Sequence, residues 1–109
     1  MIQFDLLLAD AAQLDIIEAF DWYNEIDSRL ADSLEMYIEA GLMTVRHNPN
    51  LFQKKYKRIR VHFIQRFPYG IHYFLEGTTI RVIGFFHTSR NPKSWQKRYR
   101  SESGFDDIR

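Results

Sequence analysis

The side chains that could do chemistry sit mainly in the second half of this chain. Lys57, Arg58, Arg60 and Arg66 form the densest cationic cluster. Such a cluster attracts a phosphate backbone or an acidic protein surface. The plain alternative is a set of solvated charges on an exposed face. His87, with an ordinary pKa of about 6.5, can serve as acid or base near neutrality. It could equally hydrogen-bond a turn at a strand end. Arg90 follows three residues later, and its guanidinium fork suits phosphate or carboxylate. Tyr69 and Tyr73 could stack on bases, although strand tyrosines more commonly bury their rings. Trp95 reads as the residue that packs a short helix onto a sheet.

Several chemistries are excluded. There is no cysteine among the 109 residues, so disulfides, thiolate zinc sites and a cysteine nucleophile are absent. His47 and His62 have no second ligand at convincing spacing, and no metal site is expected. No P-loop, dinucleotide fingerprint or Ser/His/Asp grouping is present, and no cofactor is expected. No apolar run approaches the roughly 18 residues of a membrane span.

The elements that must position these residues follow from periodicity. Residues 3–9 read as a strand. Asp10 followed by Gln13 fits a capping box for a helix from about Ala11 to Ile26. Ala12, Ile16, Ala19, Phe20 and Tyr23 form its apolar face, with Asp15, Glu18 and Glu25 largely elsewhere. Asp27 or Ser28 can cap a second helix with the stripe Leu30, Leu34, Tyr37, Ile38, Gly41 and Val45. Gly41 costs that helix about 1 kcal/mol relative to alanine, which a close neighbouring backbone would explain. Asn48-Pro49 ends the helix. The short link between the two makes an antiparallel hairpin.

From Tyr56 the period is two. Ile59, Val61 and Phe63 are expected to face the core, with Arg58, Arg60 and His62 on the other side. Ile71, Tyr73 and Leu75 continue as a strand. Residues 76–79 are a hairpin turn signal, and 80–88 are the last strand. Gly84 within it suggests a bulge or close packing. Simple alternation places Arg81, Ile83, Phe85 and His87 on one face. Lys93–Arg100 reads as a short helix. One α+β domain over 1–100 is expected, with a polar, loosely held tail over 101–109: a strand, a helical hairpin on one sheet face, a three-stranded meander and a short helix.

The net charge of +1 hides a segregation. Residues 1–45 carry −9, residues 46–100 carry +12 and residues 101–109 carry −2. The helical layer is therefore acidic, and the sheet with its C-terminal end is basic.

This order of elements resembles the RelE/ParE superfamily of toxins from bacterial toxin–antitoxin operons, over about residues 3–100. The most specific part is Phe67-Pro68-Tyr69, Ile71 and Tyr73, then a turn and a strand, then His87, Arg90, Pro92 and Trp95. The fold implied is a sandwich of a helical hairpin on a mainly antiparallel sheet. RelE-like members cut messenger RNA on the ribosome, whereas ParE-like members poison DNA gyrase without being nucleases. An expected RelE strand arginine falls on Gly70, and the late tyrosine falls at about Gln96. The His-Tyr ending of another RNase branch reads His87-Thr88, while Arg90 is retained.

The resemblance therefore implies a ParE-like toxin of a plasmid-stabilisation type module, cytoplasmic, inhibiting gyrase. It would be neutralised by a cognate antitoxin that wraps the helical hairpin and the sheet edge. Arg66, Tyr69, Tyr73, Arg81, Arg90 and Trp95 are the expected target contacts. The alternative is a ribosome-dependent mRNA endonuclease using His87, Arg90, Arg58 and Arg60. A further alternative is a homologue that binds its antitoxin without toxicity. The oligomeric state is left open.

Overall fold

One residue, Asp27, separates helix α1 (Asp10–Ile26) from helix α2 (Ser28–His47) in the computed structural model, which describes residues 2–103. Asp27 has extended backbone, and its carboxylate accepts the Arg29 N–H at 2.9 Å, as an N-cap should. The Arg29 guanidinium beside it lowers the Asp27 pKa. Helix α1 begins differently from expectation. Its N-cap is Ala9, which makes no side-chain cap, and Asp10 is already helical. The capping box is not formed because the Ala9 N–H still donates to the Val82 carbonyl, so the chain enters the helix directly from the sheet. Gln13 instead donates its side-chain amide to the Leu8 carbonyl.

The sheet contains β1 (Asp5–Leu8), β2 (Lys54–Tyr56), β3 (Ile59–Phe63), β4 (Tyr69–Glu76) and β5 (Thr79–His87), in spatial order β1-β5-β4-β3-β2. Strand β1 is parallel to β5, and the other pairs are antiparallel. A C-terminal helix, α3 (Pro92–Ser103), completes the α+β sandwich. It extends three residues beyond the expected end. Residues 104–109 of the tail lie outside the described residues. Strand β2 adds a fourth strand to the expected meander, although Lys54, Lys55 and Tyr56 carry no apolar alternation. Lys57, in the left-handed region at φ 52°, turns the chain so that backbone groups alone can pair β2 with β3.

Both sheet faces are covered. The larger core lies under the hairpin and includes Leu34, Ile38, Val45, Ile71, Tyr73 and Phe85. Gly41 lets α2 approach the sheet: a Cβ there would lie 2.8 Å from Ile64 Cγ2 and 3.0 Å from Ile71 Cδ1. The second core lies under α3 and comprises Ile59, Phe74, Ile83, Phe86 and Tyr99.

This second core corrects two face assignments. Ile59 belongs to the α3 side, and Arg60 and His62 turn toward the hairpin side. There Arg60 donates to the carbonyls of Asn50 at 3.2 Å and Phe52 at 2.7 Å. Phe63 is half exposed rather than core. On β5, Tyr73 pairs with Val82 and His72 with Gly84, leaving Ile83 as an extra, bulged residue. The bulge resets the alternation, so Val82 and Phe85 serve the hairpin core while Ile83 and Phe86 serve the α3 core. Arg81 and Ile83 therefore lie opposite Phe85 and His87. Gly84 permits this because a Cβ would lie 2.5 Å from the Phe86 ring.

Among the described residues, no helix is long and apolar enough to cross a membrane.

Candidate functional site

The two halves of the sequence pattern meet in space. Tyr69 pairs with His87 across β4 and β5, and the Pro68 carbonyl accepts the Thr88 N–H at 2.8 Å. The turn after β5 closes when the Arg90 N–H donates to the His87 carbonyl at 3.0 Å. His87 and Arg90, both exposed, thus form a ridge at the end of the longest strand.

His87 is committed to that turn. Its Nδ1 accepts the Ser89 N–H at 3.1 Å and lies 2.8 Å from the Ser89 hydroxyl. A backbone N–H can only donate, so Nδ1 carries the lone pair and Nε2 carries the proton. The imidazole therefore offers a donor outward and holds its acceptor inward. In this arrangement it is not set up to take a proton from a substrate hydroxyl.

The ridge divides two open depressions. On the α1 side, one of about 260 Å³ is lined by Asp15, Glu18, Trp22, Tyr69, His87 and Arg90, among others. Tyr69 stacks on Phe85 with centroids 4.7 Å apart and meets His87 edge-on at 5.2 Å. Burial, then the neighbouring Tyr23, raises the Tyr69 pKa, so its hydroxyl stays a donor at neutral pH. On the α3 side, a depression of about 220 Å³ is lined by Lys55, Phe63, His87, Arg90 and Trp95, among others. The Arg90 guanidinium lies 4.8 Å from the Phe86 ring centroid.

The support beneath the ridge is a buried carboxylate. Asp15, 8% exposed, accepts the Phe85 N–H at 3.0 Å and is gripped by the Arg98 guanidinium at 2.8 and 3.1 Å. Arg98 also donates to the Ile83 carbonyl at 3.1 Å. Strand β1 ends opposite Val82. The Asp15–Arg98 pair therefore satisfies backbone groups of β5 that a neighbouring strand would otherwise take. The hydrogen bond that Arg98 donates to the Asp15 carboxylate is the main cause of the raised Arg98 pKa. Asp15 is expected away from the apolar face of α1, whereas the structure buries it there. The signal was present, since Asp15 stands three residues after Ala12 and four before Ala19, both buried.

The remaining expected contacts scatter. Arg58 and Arg60 do not form one site. The Arg58 guanidinium lies 4.4 Å from the ring centroid of Phe74, in the α3 core, whereas Arg60 is held on the hairpin side. Tyr73 is fully buried, and its hydroxyl donates to the Pro49 carbonyl at 2.7 Å, so it is a core tyrosine rather than a surface contact. Arg81 pairs with Glu76 at 3.1 Å near the opposite end of β5. Trp95 is half-buried and packs α3 onto the sheet while also lining the depression. Lys55, Glu18 and the 64% exposed Trp22 join the site without having been singled out from sequence.

Arg66 lies in the β3–β4 turn at φ 70°, a left-handed conformation that its Cβ makes unfavourable, with its guanidinium 5.7 Å from the Tyr37 ring. Arg66→Gly is expected to leave stability unchanged or raise it by up to about 1 kcal/mol. A thermal melt checks this. A loss above about 1 kcal/mol would mean that the Arg66–Tyr37 contact holds the turn.

No protein-family model matches the chain, and no curated protein matches it. Among solved structures, it is similar to a chain of one described as the chromosomal ParDE TA system from P. aeruginosa. The TM-score is 0.71 at 14% identity, over 80% of this chain and 98% of that one. The α+β fold of this chain is thus one shared with a chain of that ParDE system.

Proposed function

We propose that this chain is the toxin of a type II toxin–antitoxin module, ParE-like, acting in the cytoplasm on DNA gyrase and neutralised by a cognate antitoxin. The observation that carries this reading is the fold shared with a chain of a ParDE system, together with the residues at the ridge. The ridge is suited to docking rather than to cleavage. Phosphodiester cleavage through a 2′-hydroxyl needs a base with a free lone pair and cations converging on one phosphate. His87 Nδ1 is occupied by Ser89, and Arg60 lies across the sheet from Arg58. These placements count against the mRNA endonuclease alternative.

The antitoxin has a natural seat on the other flank of α1. A groove of about 450 Å³ runs between the helices, floored by Ile16, Phe20, Ile38 and Leu42 and rimmed by Glu35 and Glu39. It suits the apolar face of a basic amphipathic helix.

Expression without antitoxin, with thymidine and methionine incorporation followed in one culture, tests the proposal. Thymidine incorporation is expected to fall first. An earlier fall in methionine incorporation would move the target to translation. Unchanged growth would leave an antitoxin-binding homologue without toxicity.

A further inference from the structure

His87 and Arg90 form the wall shared by the two depressions, and the charge each side adds to that wall differs. The α3-side depression has the cations Lys55 and Arg90 over an aromatic floor of Phe63, Phe86 and Trp95, and no carboxylate among its lining residues. The α1-side depression adds the exposed Glu18 beside the exposed Trp22, whose ring face also favours a cation. At about 220 and 260 Å³, each is small for a ligand pocket and suited to one large side chain.

We propose that the ridge is the docking surface for a single protein segment that carries an acidic side chain into the α3-side depression and a basic one into the α1-side depression. Arg90 and Lys55 receive the carboxylate in charge-assisted hydrogen bonds. Glu18 and the Trp22 ring receive the cation. The Nε2–H of His87, fixed outward by Ser89, donates to a carbonyl of the crossing segment. Trp22, Tyr69 and Arg90 are the residue types that dominate binding energy at protein interfaces. A nucleic-acid strand fits less well, because a phosphate at every nucleotide would bring one beside the exposed Glu18. The proposal concerns the surface alone and holds or fails whether or not the chain arrests growth.

The two tryptophans permit a direct test, one reporting from each depression. Trp22→Phe leaves Trp95 as the α3-side reporter, and Trp95→Phe leaves Trp22 as the α1-side reporter, with circular dichroism confirming the fold. The probes are capped peptides with one Glu and one Arg separated by one to four alanines, and an octauridylate, at low salt. One spacing is expected to change the fluorescence of both variants. Its Glu→Gln version should lose the Trp95 response, and its Arg→Gln version the Trp22 response.

Arg90→Gln and Glu18→Gln, both at exposed positions, should each weaken binding about tenfold. The double variant E18K/R90E should prefer the peptide with the two charges exchanged. Silence at every spacing, a response indifferent to Glu18 and Arg90, or tighter binding of octauridylate to both reporters would overturn the proposal.

Discussion

Asp15→Ala is expected to destabilise the fold by about 3–5 kcal/mol, the cost of breaking a buried ion pair by removing one partner. The carboxylate holds three donors at once: both terminal nitrogens of Arg98 and the Phe85 N–H. Alanine leaves the guanidinium without its counter-charge and β5 with an unsatisfied donor beside the bulge. Domains of this size are stable by only about 5–15 kcal/mol, so the loss is a large share of the whole. Urea unfolding measures it. Asp15→Leu combined with Arg98→Met removes both partners and is expected to cost less than Asp15→Ala alone, because no buried charge is stranded. A single-variant loss below about 1 kcal/mol would show that α3 is held by its apolar face and not by this pair. The same variant should disturb the ridge, since Phe85 lies two residues before His87.

The second large effect is a loss of stability in mild acid that originates at His72. This residue lies on the α3 face of β4, 5% exposed, with Nδ1 hydrogen-bonded to the Tyr99 hydroxyl and its ring edge-on to Phe86. Burial, then the nearby Arg98 charge, pushes its pKa down to about 3. In the unfolded chain the group titrates near its ordinary value of about 6.5. Between these values the unfolded state binds the proton and the folded state does not, so stability is full above about pH 6.5 and falls as the pH drops. One such group contributes a slope of up to about 1.4 kcal/mol per pH unit, or roughly 3 kcal/mol between neutrality and pH 4.

His72→Phe keeps the ring and removes the titration. Its unfolding free energy should lose most of that slope, although the hydrogen bond between His72 and the Tyr99 hydroxyl is lost and the variant starts about 1 kcal/mol lower at pH 7. Urea midpoints at pH 7, 5.5 and 4 for both proteins decide the matter. Parallel slopes would assign the acid sensitivity to other groups.

Local chemistry made much of this protein legible without coordinates. The helices, their break at Asp27 and the stop at Asn48-Pro49 depend on apolar spacing, an N-cap carboxylate and the geometry before proline, all short-range. Gly41 and Gly84 were recognisable as points of close approach because an interior glycine otherwise costs stability. The meander followed from period two and its turn residues, and the Phe67–Tyr69 and His87–Arg90 segments marked the end of β5 where the ridge lies.

Tertiary structure decided which face each side chain serves. One bulged residue, Ile83, inverts the sides of everything after it on β5, and strand period alone does not reveal where a partner strand skips a residue. With α3 closing over the second face, both sides of β3 are apolar environments in part, and the polar side of Arg60 and His62 is not the solvent side. Asp15 sat on a buried stripe, but its acceptability there rests on Arg98, 83 residues away. Lys55, Glu18 and Trp22 joined the site for the same reason. Their local spacing carries no sign of it, because the distances between α1, β2 and the end of β5 are set only when the two layers pack.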